Sequence, residues 1–470
     1  MRRIIGTVVL SVALGGCALG PDYRRPDVPT PGAWRDAAPA ADPASLADLA
    51  WWQLFQDEEL KALVRIALEE NKDLRIAVTR VDQARALLGI ARADQFPRVD
   101  AGASATTNRT SRTVRPRDQG GETELLETTV DLSFEIDIWG RLRRATEAAR
   151  AELLATEEAR RAVVLTLVSD VATGYLQLRE LDLELEITRR NVESRRQSLE
   201  IVRERFEAGL TSALDLRQAE AELAGTAAQI PDLERQITQT ENRLSILLGR
   251  NPGAISRGRP LTGQTFPPVV PAGLPSALLE RRPDIREAEA TLVSANARIG
   301  VAKAAFFPQI SLTGFFGVAS AELSDLFTGP SRIWQLGPSA TVPVFDAGRN
   351  RRNLQFTEAQ EREALHRYEQ AIQQAFRDVE DALVAHRKFR EALAEQDRAV
   401  QASRETLAIA EERYTSGLTN YLSVLDAQRT LLIAEVAQSR TLGAQLVAVV
   451  QLYKALGGGW APDGSQAKLR

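Results

Sequence analysis

Only one side chain in this sequence has both the type and the surroundings for covalent chemistry. Cys17 is the single cysteine among 470 residues. It follows a short apolar run that begins after Arg2 and Arg3, and this arrangement predicts a signal peptide over residues 1–16. The run is too short to cross a bilayer as a stable helix. Cys17 would therefore be the first residue of the processed chain.

The residues just before Cys17 predict its modification. Leu14-Gly15-Gly16-Cys17 resembles the bacterial lipobox, in which the cysteine is diacylated and N-acylated after cleavage. Several acyl chains on one residue anchor a protein stably, whereas a single chain binds a membrane only marginally. We therefore expect a covalent lipid on Cys17. The alternative is an ordinary signal peptide followed by an incidental thiol.

The rest of the sequence offers no set of residues for catalysis or for metal binding. Its two histidines, His366 and His386, lie in helical patterns where we expect both to be solvated. No nucleophile stands in a pattern with an acid and a base, and one cysteine with two histidines argues against a zinc site. The net charge of −4 gives no basic surface for nucleic acid. We expect no enzyme, no metal, no nucleic-acid partner and no cofactor apart from the lipid.

An internal repeat organises the chain. Residues 205–214 resemble residues 413–422, and the offset of 413 − 205 = 208 aligns a long region without gaps. Gly209 falls on Gly417, and Leu199 falls on Leu407. Because internal repeats dictate architecture, we expect one fold built from two similar halves.

The repeat predicts the domain organisation. Residues 17–49, rich in Pro, Ala and Asp, are expected to form a lipidated extended tether. The first structural repeat covers residues 50–258 and the second covers residues 259–457. Residues 458–470 form a C-terminal tail.

Each repeat changes its hydrophobic period after a Phe-Pro pair. A helical period from Leu60 predicts one helix that runs to about Gln95 and stops at Phe96-Pro97. Alternating patterns then predict two β-hairpins, over residues 99–138 and 309–345. Four strands cannot close a membrane barrel, since the smallest single-chain barrels use about eight. If these strands span a membrane, several chains must share one barrel.

After the hairpins the helices become very long. No Gly or Pro stands between Gly348 and Gly417, which allows one helix of roughly 100 Å at about 1.5 Å per residue. The first repeat has a counterpart from Arg141 to Ala208. Apolar residues spaced three and four apart predict coiled-coil packing, and Pro231 should interrupt the returning helix of the first repeat.

Turns follow the long helices at Gly209 and Gly417. Glycine ends a helix without strain because it adopts a left-handed conformation freely. We expect Ser212 with Asp215, and Asn420, to cap the returning helices. Each repeat is therefore predicted as helix, β-hairpin, long helix, tight turn and returning helix.

Four motifs in addition to the lipobox make a family resemblance specific. They are residues 20–26 (GPDYRRP), 137–141 (DIWGR), 413–428 and 452–460 (LYKALGGGW). In this order they resemble the TolC-like outer membrane factors, and among them the NodT/OprM-type lipoproteins of efflux systems driven by resistance-nodulation-division (RND) pumps. The resemblance covers the whole chain.

The resemblance implies a mixed α and β membrane protein that forms a homotrimer. Three copies would share a twelve-stranded β-barrel in the outer membrane, four strands from each chain, and a long α-helical, coiled-coil barrel in the periplasm. The implied partners are a periplasmic adaptor (membrane fusion) protein, an inner-membrane RND pump and outer membrane lipid.

The resemblance also implies a periplasmic gate. In the family, apolar and acidic rings narrow the tunnel near the second tip, and these map onto Leu422 and Asp426. Tyr414 falls at a position that helps to lock neighbouring helices. Thr419 and Ser423 stand where TolC has charged partners, so we expect no salt-bridge lock of that kind. The implied adaptor contacts are the hairpin tips, at Gly209, Leu210, Thr211, Gly417, Leu418 and Thr419.

Three functions remain open from the sequence. The leading hypothesis is an exit duct for drugs or toxic small molecules. The alternative is the outer membrane duct of a type I protein secretion system, against which lipidation and the NodT-type motifs argue. A lipid-anchored periplasmic scaffold without a pore is the third, but it leaves the alternating strands unexplained.

Lipidation of Cys17 is directly testable. Labelled palmitate should be incorporated into the wild-type protein and not into Cys17→Ser, because the thiol is the attachment point. The unlipidated variant should keep partial membrane association if the strands also insert. Wild-type protein that loses its signal peptide and carries no lipid would contradict the assignment.

Overall fold

The computed structural model describes residues 18–35, 46–109, 111, 122–265 and 275–458. The signal peptide and Cys17 lie outside the described residues, as do parts of the tether and of the C-terminal tail. Within these ranges, no helix combines the length and apolar character needed to cross a membrane.

Helices and four strands make up both repeats. The helices of more than ten residues in the described ranges are α1 (Glu58–Glu70), α2 (Lys72–Ala93), α3 (Arg141–Glu207), α4 (Ala213–Ala227), α5 (Gln229–Leu247), α6 (Pro283–Ala304), α7 (Arg349–Thr415) and α8 (Tyr421–Ala455). One-turn helices are Trp51–Leu54 and Leu278–Arg281, and short 3-10 turns are Leu46–Asp48, Leu261–Gly263, Pro275–Ala277 and Gly329–Ser331. The long helices α3 and α7 have 67 residues each.

Glycines at matching positions show that the repeat is structural. Three pairs of glycines 208 residues apart adopt positive φ angles, which side chains rarely tolerate. The pairs, with φ for each member, are Gly140 and Gly348 (76° and 82°), Gly209 and Gly417 (72° and 72°), and Gly249 and Gly457 (70° and 79°). The two halves of the chain therefore turn at the same places in the same way.

The strands form one antiparallel sheet in the order β1-β2-β3-β4. They are β1 (Arg98–Arg109), β2 (Glu122–Ile136), β3 (Gln309–Ser320) and β4 (Arg332–Thr341). The expected hairpins are both present, and β2 pairs with β3 to join the two repeats. In the described part of the chain, β1 and β4 each have one edge without a partner strand.

The predicted helix from Leu60 to Gln95 is two helices, and the prediction of one was wrong. Asn71 separates α1 from α2: its side-chain oxygen accepts a hydrogen bond from the Leu74 amide at 2.9 Å, and its amide donates to the Leu247 carbonyl at 2.9 Å. An asparagine that caps one helix and contacts another is a tertiary feature, which hydrophobic periodicity cannot reveal.

The interruption expected near Pro231 is present. Helix α4 ends at Ala227 and α5 begins at Gln229, with Ala228 between them. Pro231 lies in the first turn of α5, where a backbone N–H has no partner within the helix and its absence costs nothing.

The chain divides into two compact units. The first consists of residues up to 27, 80–157 and 287–369, and it contains the sheet. The second consists of residues 28–79, 158–286 and 370–470, and it contains both helical turns at Gly209 and Gly417.

In the first unit, the segment that follows Cys17 is held by ion pairs. Asp22 contacts the guanidinium of Arg144 at 2.7 Å, and Arg25 contacts Glu289 at 2.6 Å. The Tyr23 hydroxyl donates to Glu289 at 3.1 Å. Because Arg144 is buried, its pairing with Asp22 offsets part of its desolvation cost. The start of the described chain is therefore part of this unit and not a free tail.

In the second unit, Asp57 is the centre of a buried hydrogen-bond network. Its carboxylate accepts from the Tyr175 hydroxyl at 3.0 Å, the Gln264 amide at 2.7 Å and the backbone amides of Arg259 and Glu59 at 2.9 and 3.0 Å. Burial raises the pKa of Asp57, but these hydrogen bonds outweigh burial and leave the pKa below its usual value. The network joins α1 and α3 to the loop after α5.

Asp57→Ala should destabilise the protein by about 2–4 kcal/mol, because several buried donors lose their acceptor together. Thermal unfolding in mild detergent should show a lower midpoint. Glu58→Ala is the matched control, since the neighbouring Glu58 side chain is 78% exposed. Equal midpoints for the two variants would contradict the importance of the network.

Candidate gate and hairpin tips

The two helical turns have the same backbone geometry. After α3, the Leu210 amide donates to the Arg205 carbonyl at 2.8 Å, and after α7 the Leu418 amide donates to the Arg413 carbonyl at 2.8 Å. Gly209 and Gly417 supply the left-handed residue between them. The leucine that follows each glycine is 67% exposed at Leu210 and 69% exposed at Leu418. Each tip therefore presents an apolar side chain to solvent.

The first tip is fixed by a carboxylate. The Ser212 hydroxyl accepts from the Asp215 amide at 3.2 Å, and Asp215 accepts from the Ser212 amide at 3.2 Å and the Thr211 hydroxyl at 2.6 Å. Partial burial raises the pKa of Asp215, but these hydrogen bonds outweigh it and lower the pKa overall. The expected capping by Ser212 and Asp215 is confirmed.

The second tip is fixed by neutral groups. Asn420 caps α8 by accepting from the Ser423 amide at 3.3 Å, as expected from the sequence. The hydroxyls of Thr419 and Ser423 lie 3.0 Å apart and hydrogen-bond to each other. Because neither hydroxyl is charged, this hydrogen bond is weaker than those to the Asp215 carboxylate at the first tip.

Leu422 and Asp426 share one exposed face of α8. They lie one helical turn apart, Leu422 is 56% exposed, and Asp426 is exposed. Val424 and Leu425, between them, point into the core and are buried. No hydrogen bond or ion pair links Asp426 to another described residue. An apolar and an acidic side chain are thus both left free on the same side of the helix.

Tyr414 does not join that exposed face. It is 6% exposed, its ring lies 5.3 Å from the ring of Tyr421, and the Arg205 guanidinium is 5.0 Å from its centroid. Its hydroxyl is buried with no hydrogen-bond partner among the described residues. Any locking by Tyr414 therefore depends on ring packing and on Arg205 and not on a hydrogen bond.

Tyr414 belongs to an apolar cluster that joins four helices at the tips. Its members come from α3, α4, α7 and α8. They are Leu199, Val202, Leu216, Ala219, Ala410, Tyr414, Tyr421, Val424, Leu425 and Ala427. Burial of this surface is the main force that holds the two tips together.

Beyond this cluster, buried carboxylates pair with exposed arginines beside further apolar contacts. Glu435 on α8 is 3% exposed and contacts Arg404 of α7 at 2.8 Å and Arg190 of α3 at 3.0 Å. The Asn191 amide also donates to it at 3.3 Å. Burial raises the pKa of Glu435, but these partners outweigh burial and lower it. One carboxylate thereby joins three helices.

Three further pairs continue this polar arrangement. Arg440 of α8 donates from Nε and Nη2 to the two carboxylate oxygens of Glu184 of α3, at 2.8 and 3.1 Å. Glu222 of α4 pairs with Arg195 at 2.5 Å and Arg429 at 3.3 Å. Local sequence patterns do not identify the acidic partners of these arginines. They lie in other helices, and only their position in the fold brings them together.

Glu180 lies one turn from Glu184 on α3 and forms no hydrogen bond or ion pair within the described part of the chain. Burial, and then the charge of Glu184, raise its pKa to about 7. It lines a cavity of about 680 Å³ between α3, α7 and α8. Glu180 is therefore partly protonated near neutral pH.

The histidines and acids form no metal site in the ranges that the structure describes. His366 is exposed, as expected. The expectation was wrong for His386, whose Nδ1 is buried without a hydrogen-bond partner among the described residues. Burial, and then Arg390, lower the pKa of His386. The His386 side chain is half-buried, and a single helical pattern does not reveal such tertiary burial.

The chain is similar to known proteins over nearly its whole length. The sequence profile of the family "Outer membrane efflux protein" matches residues 63–250 and 274–458, one match in each repeat. The antibiotic efflux pump outer membrane protein ArpC of Pseudomonas putida is 37% identical over 473 residues, which cover 99% of this chain and 97% of the relative. The toluene efflux pump outer membrane protein TtgC of Pseudomonas putida is also 37% identical, with the same coverage.

A solved structure has the same fold. The outer-membrane channel OprN superposes with a TM-score of 0.88 at 34% identity, covering 94% of this chain and 100% of that one. The resemblance to TolC-like outer membrane factors is thereby confirmed. The chain belongs to the outer membrane efflux protein family, and its place is the outer membrane.

Proposed function

We propose that three copies of this chain form the exit duct of an RND-type efflux system that carries drugs or toxic small molecules across the periplasm and the outer membrane. The substrate class follows from relatives that are named for antibiotic and toluene efflux. An open four-stranded sheet joined to two helices of 67 residues is the main structural support for this proposal.

The sheet requires other copies if it enters a membrane. Backbone groups on the free edges of β1 and β4 would have no hydrogen-bond partner in hydrocarbon, which costs several kcal/mol for each group. A closed barrel removes both edges. Three copies with four strands each would make twelve strands, within the range of outer membrane barrels.

The exposed face of α8 supports a gate in this assembly. If that face looks down the tunnel, threefold symmetry turns Leu422 and Asp426 into two stacked rings. The leucine ring resists wetting, and the carboxylate ring attracts cations. Tyr414 acts behind the rings, where its packing holds α7 and α8 against α3.

The two tips support contact with a periplasmic adaptor protein, which couples the duct to an inner-membrane RND pump. Leu210 and Leu418 expose matching apolar side chains, and burying them against a partner would be favourable. The flanking Gly209, Thr211, Gly417 and Thr419 shape the backbone around them. Lipidation of Cys17 anchors the duct to outer membrane lipid.

A type I secretion duct is the second candidate, and it requires different partners. The lipobox and the relatives named for small-molecule efflux favour the RND assignment. Cells that express the chain with an RND pump and adaptor should gain drug resistance. A chain that confers no drug resistance with the RND pump and adaptor, but supports export of a protein substrate with an ABC transporter, would favour the second candidate.

Leu210→Glu and Leu418→Glu should each abolish the resistance that the chain confers together with its adaptor and pump. A charge at either tip removes the apolar contact and must be desolvated on binding. The measurement is the drug concentration that stops growth of an efflux-deficient strain. Membrane levels and the trimer fraction of both variants should equal those of the wild type.

Arg235→Ala is the matched control, since Arg235 is an exposed residue of α5 outside both tips. It should leave resistance unchanged. If both tip variants retain full resistance at normal expression, the adaptor binds elsewhere on the duct.

The gate predicts low conductance for the purified wild-type protein in planar bilayers. Leu422→Ser should raise it by wetting the constriction, and Asp426→Ala should reduce the preference for cations. Tyr414→Phe should match the wild type, because the hydroxyl has no partner among the described residues, whereas Tyr414→Ala should raise conductance.

Native mass spectrometry of each variant must show trimers before its conductance is interpreted. Trimers of Leu422→Ser and Asp426→Ala with wild-type conductance and selectivity would place the constriction elsewhere. Increased conductance for Tyr414→Phe would mean that its hydroxyl has a partner in the trimer.

A further inference from the structure

The pairing of β2 with β3, which joins the two repeats, can be compared with the free edges of β1 and β4. Where the repeats meet, β2 pairs with β3, and Ile136 lies opposite Ile310. This pairing extends beyond the contact of β2 with β1, which stops where Ser133 faces Arg98. The last three residues of β2 therefore depend on β3 alone for their strand partners.

The strand registers relate the two hairpins residue by residue. Strands β1 and β3 both begin directly after Phe-Pro, at Arg98 and Gln309, an offset of 309 − 98 = 211. Arg98 faces Ser133 and Gln309 faces Thr341, so β2 and β4 differ by 341 − 133 = 208. By this relation, Val344 is the equivalent of Ile136 in the second repeat.

The second repeat nevertheless ends its strand early. Strand β4 stops at Thr341, and residues 342–344, which correspond to the last three residues of β2, are not paired. Val344 is 95% exposed, and Val99 on the free edge of β1 is 62% exposed. Ile136 faces Ile310, and the two offsets relate this facing pair to Val344 and Val99, since 136 + 208 = 344 and 310 − 211 = 99.

We propose that β4 of one copy pairs with β1 of the next copy with Val344 opposite Val99, and that residues 342–344 lengthen β4 at this seam. The partner is thus a second copy of this chain in a defined register. The inference rests on the trimeric duct proposed above, and it adds which residues seal it. The seam repeats, between copies, the contact that each chain already makes between its own halves.

A glycine and threonine pair supports this register independently. Within the chain, Thr129 faces Gly317, where a side chain would collide with the Thr128 carbonyl. The same offsets give Gly337 facing Thr106 of the next copy, because 129 + 208 = 337 and 317 − 211 = 106. Nothing lies within 4 Å of a side chain placed at Gly337. Both contacts therefore place one glycine opposite one threonine. The threonine is on β2 within the chain, whereas the glycine is on β4 between copies.

The helices next to the strands in sequence, α2, α3, α6 and α7, follow the same relation. A side chain at Gly300 of α6 would come within 2.8 Å of the Arg144 side chain of α3. The corresponding residues are Gly89 of α2 and Arg352 of α7, since 300 − 211 = 89 and 144 + 208 = 352. The space at Gly89 is open to 4 Å, and Arg352 is exposed. Arg352 of one copy fits at Gly89 of the next.

The register is tested by disulfide formation. In the variant with both Val344→Cys and Val99→Cys, mild oxidation should join copies into covalent dimers and trimers on a denaturing gel, because facing residues have Cβ atoms about 4.5–5.5 Å apart. Reduction should return single chains. Each single substitution alone, with Cys17 kept, should form no covalent trimer.

The matched control shifts the register by one residue. Val344→Cys with Asp100→Cys places the two thiols on opposite faces of the sheet, so it should cross-link at least ten times more slowly. Val342→Cys with Ala101→Cys is a second pair on the predicted face. Faster cross-linking of the shifted pair in intact trimers would overturn the register and leave the proposed duct standing.

A measurement on the unaltered protein avoids any effect of the added cysteines on folding. Hydrogen exchange should be slow in the peptides that cover residues 98–103 and 341–345 of the membrane-inserted wild type. Fast exchange in residues 341–345 of a trimer, as shown by native mass spectrometry, would contradict the strand extension. Wild-type protein that inserts as a single chain would instead overturn the trimeric duct, and with it the seam.

Discussion

Unpaired backbone hydrogen-bonding groups at the sheet edges limit how this chain can enter a membrane. Four strands leave two edges open, on β1 and β4, and unpaired amides and carbonyls are too costly in hydrocarbon for such a sheet to span a membrane alone. The repeat makes the second hairpin a copy of the first, so the contact that joins β2 to β3 within a chain can be used again between chains.

The helical half of the molecule uses two kinds of contact along the same helices. Near the tips, α3, α4, α7 and α8 are held by an apolar cluster that includes Tyr414 and Tyr421. Farther along, buried acids such as Glu184 and Glu435 pair with arginines of neighbouring helices. The carboxylates are buried, whereas Arg190, Arg404 and Arg440 are more than half exposed. The arginines offset part of the desolvation cost of the buried acids.

The two helical turns are held by different contacts, and this difference is consistent with a gate at the second tip. Thr419 and Ser423 hold that turn through a neutral hydrogen bond, while Asp215 fixes the first turn with its carboxylate. The exposed face with Leu422 and Asp426 belongs to the more weakly held turn. Two repeats that are otherwise alike therefore differ in how their tips are held.

The repeat, the order of helices and strands, and the family were all predictable from local patterns in the sequence. Period changes after Phe96-Pro97 and Phe307-Pro308, and glycines at 209 and 417, are local signals that depend on residues close together in the chain. The exposed pair Leu422 and Asp426 was also predictable, because residues four apart share a helix face. The folded structure was needed to show that Asn71 divides a helix, that one ring nitrogen of His386 is buried, and that Glu435 contacts both Arg190 and Arg404. These features join residues that are far apart in sequence, and their free energy comes from burial and pairing that no local pattern records.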